Sequence, residues 1–108
     1  MELQQRIDNL INASKDNFNK LGYRHRLEVE QRSGRKYIKI INRTVGENKL
    51  GGSEGWSVWC FIDKDGNVYK PASYKAPAKH IRYNLMNDDQ YQEAIRVADY
   101  AGAWLYMK

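Results

Sequence analysis

The sequence predicts one α+β domain over residues 1–108, an antiparallel sheet of three to four strands packed by an N-terminal and a C-terminal helix in the order α-β-β-β-β-α. Three patterns carry that prediction. Apolar residues recur at helical spacing over 3–21, alternate with charged residues over 23–43, and return to helical spacing after Asn87. Strands gathered between two amphipathic helices bury both element types only by stacking the helices on the sheet. The chain has 108 residues, 42% hydrophobic, including three Trp and eight Tyr, which suffices for a single core.

Leu3, Ile7, Leu10, Ile11, Phe18 and Leu21 form the apolar stripe of the first helix, and Gly22 is placed to end it. Tyr23, His25, Leu27 and Val29 then alternate with Arg24, Arg26, Glu28 and Glu30, the period of a half-buried strand. Ser33-Gly34 makes a turn, and residues 35–43 return as a second strand. Residues 44–55 hold four glycines and little to bury, which reads as a loop. The aromatic and β-branched run at 56–62 predicts a central buried strand. A turn at 63–67 leads into a short fourth strand begun by Val68. Pro71 and Pro77 cannot donate to a ladder, so the segment 71–85 is expected to lack long regular structure. The last helix starts at Asn87, with Gln90 three positions on as a capping box requires, and Asp88 and Asp89 suit its positive end. Tyr91, Ala94, Ile95, Ala98, Ala101, Gly102 and Leu105 line its expected inner face.

The net charge of +5 is unevenly placed. Residues 23–43 carry seven basic side chains against two acids, and residues 66–86 carry four basic side chains and no acid. Two cationic blocks favour a polyanionic partner. The N-terminal residues hold charges where a signal peptide needs an apolar core, and no apolar run approaches the ~20 residues of a membrane span. Cys60 has no partner for an internal disulfide and fits a reducing compartment. A cytoplasmic protein without a membrane partner is expected; the sequence specifies no oligomeric state.

Most chemistries find no support. Asp63, Asp65 and Asn67 suggest a calcium loop, yet the sixth and twelfth positions from Asp63 hold Val68 and Tyr74 where such a loop needs Gly and Glu. The Asp65-Gly66 pair between apolar strands is instead a hairpin turn. His25, His80 and Cys60 lack the paired spacing of a zinc site, His25 reads as a core or edge histidine, and Cys60 as a small buried hydrophobe. The glycines of 44–55 lead into a strand, whereas a phosphate-cradling loop must open into a helix. His80 beside Lys79 has no visible catalytic partner, so no enzyme, metal or cofactor is expected.

The candidate binding residues are Lys70, Tyr74, Lys75, Lys79, His80, Arg82 and Tyr83, extended by Arg35 and Lys36 from the first hairpin. Arg24, Arg26, Arg32, Lys39 and Arg43 could enlarge the same surface. Cations there would neutralise phosphates, and the rings of Tyr74 and Tyr83 would stack on unpaired bases. The bland alternative packs tyrosines and prolines onto the sheet and leaves the charges in water.

Residues 35–85, and most specifically the run Lys-Pro-Ala-Ser-Tyr-Lys-Ala-Pro-Ala-Lys followed by Arg82, resemble a group of small uncharacterised bacteriophage proteins. That resemblance implies a phage origin and the host cytoplasm rather than a mechanism. The element order is also similar to that of double-stranded RNA-binding domains, but those grip phosphates with a basic helix start, where this chain has Asn87, Asp88 and Asp89. The expected function is nucleic-acid binding through the basic Tyr/Pro segment; the alternative is docking on, and inhibition of, a host protein such as a defence nuclease.

Overall fold

The structure is a computed structural model that describes residues 2–46 and 55–106. Helix α1 (Leu3–Lys20) is followed by five strands: β1 (Arg26–Ser33), β2 (Tyr37–Val45), β3 (Ser57–Asp63), β4 (Asn67–Pro71) and β5 (Pro77–Asn84). Helix α2 (Asp88–Val97) and a short 3-10 helix, Ala103–Tyr106, complete the chain. The strands form one antiparallel sheet in sequence order, so each pairs with its chain neighbour. This is the α+β class expected, with five strands rather than three to four.

The additional strand is β5, in the segment where prolines argued against regular structure. Pro71 closes β4, Pro77 opens β5, and the two are paired across the ladder. Between them the amides of Ala72 and Ser73 donate to the Ala76 carbonyl, and the Ser73 hydroxyl accepts from the amides of Lys75 and Ala76. The prolines therefore frame a tight loop at the ends of an edge hairpin, where a missing N–H costs least.

Local signals place several boundaries as expected. Gly22 ends α1 with φ of +72°, a conformation that costs a side-chain-bearing residue far more. The Asn87 side chain accepts from the Gln90 amide at 3.1 Å, capping α2. Gln90 does not return the bond as in a capping box; its side chain accepts from the Asn84 amide at 2.8 Å and so ties the helix to β5. The first hairpin forms three residues later than its alternation suggests, with Arg35 and Lys36 in the connection rather than in a strand. His25 precedes β1 and is exposed, not a core residue. The described ends of the loop expected at 44–55 flank residues 47–54, which lie outside the described residues.

Cross-strand partners share a face, which divides the sheet cleanly. Val29, Ile38, Ile40, Cys60, Ile62, Val68 and Tyr83 point towards the helices, where they meet Ile7, Leu10, Tyr91, Ala94, Trp104 and Leu105. A bulge after Ile40 leaves Trp59 outside the β2–β3 pairing, so Trp59 and Cys60, adjacent in sequence, both enter this core. Burial pushes the Cys60 thiol pKa well above its ordinary value, which makes it inert. Arg6 joins the helices: its guanidinium donates to the Leu85 carbonyl, pairs with Asp88 at 2.7 Å, and lies 4.5 Å from the centre of the Tyr91 ring.

Helix α2 stops at Val97 instead of running on to Leu105. Ala98 adopts an extended ψ of 130°, and Asp99 caps the following turn by accepting from the amides of Gly102 and Ala103. Asn42 and Trp59 donate to the carbonyls of Tyr100 and Asp99, and Asn17 accepts from the Tyr100 amide. Those bonds swing Trp104 under the sheet.

The Asp65-Gly66 turn is held by one carboxylate. Asp63 accepts from the amides of Asp65 and Asn67, the Asn67 side chain and the Tyr69 hydroxyl, all within 3.0 Å. Partial burial opposes its charge, but these donors outweigh it and hold the carboxyl below its ordinary value. Burial and the bond to Asp63 push Tyr69 up to about 12. A depressed carboxyl pKa stabilises the fold above the unfolded value of about 3.9, and that contribution is lost as pH falls through the folded value. Asp63→Ala should therefore cost about 1–3 kcal/mol near neutrality. In thermal melts, its deficit against the parent protein should narrow as pH drops below about 4; a deficit independent of pH would contradict this assignment.

Candidate nucleic-acid interface

The sheet face away from the helices is built by the complementary alternation. Arg32 faces Lys39, Lys39 faces Phe61, Phe61 faces Tyr69, and Tyr69 faces Ile81. Tyr37 meets Phe61 and Tyr69 edge-on at 6.0 and 5.7 Å between ring centres. Cations thus stand beside an aromatic ladder, because the β2 residues on this face are Tyr37, Lys39, Ile41, Arg43 and Val45.

At one end of this face lies an open cleft of about 310 Å³, lined by Arg32, Ser33, Gly34, Arg35, Lys36, Tyr37, Lys39, Phe61 and Lys75. Lys75 comes from the β4–β5 loop and the other cations from the first hairpin, so the two basic blocks meet here. Among the described residues no carboxylate lines the cleft. Arg32 is partly engaged by Glu30 at 3.0 Å, whereas Arg35, Lys36, Lys39 and Lys75 form no ion pair among the described residues. The Lys39 ammonium lies 4.1 Å from the centre of the Tyr74 ring, which fixes the loop over the sheet. Asp63 and Asp65 bound the neighbouring depression, which shares Arg35, Lys36 and Tyr37. The Asp63 oxygens accept the hydrogen bonds of the turn they organise, and the carboxylate keeps its negative charge there.

Other candidates separate from this cluster. Tyr83 is 2% exposed and stacked on Trp104 at 5.3 Å, so it offers no face to a base; the same β-strand alternation that carries it into the core explains why. Lys70 turns to the 3-10 helix, with its ammonium 4.4 Å from the Tyr106 ring centre. Lys79 and His80 are exposed along edge strand β5, and Arg82 is half-buried beside Tyr83. Arg26 and Arg43 are both engaged by Glu28, at 3.4 and 2.8 Å. The Arg43 bond, working against partial burial and with Arg26, holds Glu28 below its ordinary carboxyl value. Tyr37, Phe61 and Trp56 were not among the sequence candidates. For Tyr37 and Phe61 the signal is the alternation of β2 and β3 about Ile38, Ile40 and Ile62, which leaves Tyr37, Lys39 and Phe61 for the opposite face.

Among the described residues, no group of three His, Cys, Asp or Glu side chains is placed to hold a metal ion. No helix of the described residues is long and apolar enough to cross a membrane.

Fold and site together define a small α+β domain with a meandering five-stranded sheet, helices on one face and a basic aromatic surface on the other. The chain belongs to a family of unknown function (DUF7717), whose family model matches residues 1–107. No curated protein and no solved structure matches it significantly.

Proposed function

We propose that this protein is a non-enzymatic binding module that holds the phosphate backbone of nucleic acid on the cleft between the first hairpin and the β4–β5 loop. The observation that carries this reading is the convergence of Arg35, Lys36, Lys39 and Lys75, from segments about forty residues apart in the chain, on one concavity lined by no acid among the described residues. Converging cations raise the local potential and exchange their counterions for phosphates.

Four phosphate contacts predict a steep salt response: log K against log salt should fall with a slope of about −3 to −4. Fluorescence anisotropy with a labelled oligonucleotide between 50 and 200 mM salt measures it. A flat response rejects the reading. A partner captured from lysate that survives nuclease treatment would assign the face to protein docking instead.

A further inference from the structure

We infer that the strand taken up by this face is single-stranded, with one unpaired base seated in an apolar groove next to the cationic cleft; the inference rests on the phosphate-binding reading above. The groove, about 350 Å³, lies on the far side of Tyr74 and is lined by Trp56, Ser57, Val58, Pro71, Ala72, Ser73 and Tyr74. Its walls are two aromatic rings, Val58 and Pro71 add apolar surface, and Ser57 and Ser73 add hydroxyls.

Tyr74 joins groove to cleft. Its ring lines the groove and has the Lys39 ammonium at 4.1 Å, while its chain neighbour Lys75 lines the cleft. Tyr74 is 46% exposed, whereas Tyr83 fills the core. Trp56 is held in the same way: the Arg43 guanidinium lies 4.5 Å from its ring centre, and Arg43 is itself anchored by Glu28 at 2.8 Å. Cations packed against these rings fix their orientation before any ligand arrives, which lowers the entropy lost on binding.

The partner's chemistry follows from the juxtaposition. A phosphate belongs in the cleft and a flat apolar ring belongs in the groove. Duplex nucleic acid presents phosphates but keeps its base faces stacked inside, so it can fill only the first. An unpaired strand offers both within one or two nucleotides, and stacking of this kind tolerates any base.

The test compares three ligands of equal length by anisotropy at one salt concentration: a single strand, its hairpin duplex, and an abasic strand that keeps the phosphates. Deoxyribose and ribose versions of the single strand distinguish DNA from RNA. The single strand should bind about tenfold more tightly than either control. Tyr74→Ala should reduce it to the abasic level without changing the salt slope, and Tyr74→Phe should restore it. Trp59 and Trp104 are buried, so binding of the single strand should quench tryptophan fluorescence through Trp56, and Trp56→Phe should abolish the quench. Equal affinity for intact and abasic strands, with a steep salt slope kept, overturns the single-strand inference alone. No binding to any of the three overturns the phosphate reading and this inference with it.

Discussion

Trp104→Ala should lower the stability of the folded protein by about 3–5 kcal/mol, the range for truncating a fully buried large aromatic. Trp104 is 0% exposed, stacked on Tyr83 at 5.3 Å and tilted against Trp59 at 5.1 Å, so three rings from the 3-10 helix, β5 and β3 form one contact. Removing the middle ring leaves a cavity that Tyr83 and Trp59 cannot close without pulling their strands out of register. Measured against a total of about 5–15 kcal/mol for a domain, the loss brings the protein close to unfolding. Urea unfolding followed by circular dichroism measures the effect. A change below about 1 kcal/mol would mean that the 3-10 helix does not dock where the structure places it.

The second large effect concerns binding. Lys36→Glu with Lys75→Glu should weaken oligonucleotide binding a few hundredfold at low salt while leaving the melting temperature almost unchanged. Each reversal swings the local charge by two, and a unit interaction at 4 Å in water is about 1 kcal/mol. Two reversals therefore amount to about 3–4 kcal/mol, which is a few hundredfold in Kd. Both side chains are exposed and neither forms an ion pair among the described residues, so the fold does not depend on them. Lys70→Glu is the informative control. Its ammonium faces Tyr106 and not the cleft, so its reversal should change affinity far less. If Lys70→Glu is as damaging as the double variant, the cleft is not the binding surface and only a diffuse positive field remains.

The candidate site was half legible before the fold was known. That residues 66–86 hold no acid identified the segment, and Tyr74 and Lys75 do sit on its exposed turn. The segment does not form one surface. Its middle is a hairpin, and a strand sends successive side chains to opposite faces. Lys70 and Tyr83 consequently belong to the helix side, while Tyr74 and Lys75 meet Lys39 and Lys36 on the other. The first hairpin likewise offers fewer available cations than its composition suggests, because Arg26, Arg32 and Arg43 each find Glu28 or Glu30 two residues away or directly across the ladder.

Short-range chemistry determined much of the architecture. Gly22 and Asn87 act through their own backbone conformation or through bonds to residues at most four positions away, and the Asp65-Gly66 turn is closed locally by Asp63, so their meaning survives without a tertiary context. Period-two and period-3.6 patterns act the same way, since they state which residues share a face of an isolated element. Tertiary structure alone decided where α2 stops, that a fifth strand forms after Pro77, and that Lys75 reaches the first hairpin. The stop at Val97 depends on Asn17, Asn42 and Trp59 gripping residues 99 and 100, partners from 40 to 83 positions distant. Contacts across such separations exist only once the sheet has closed, and no window along the chain contains both ends of them.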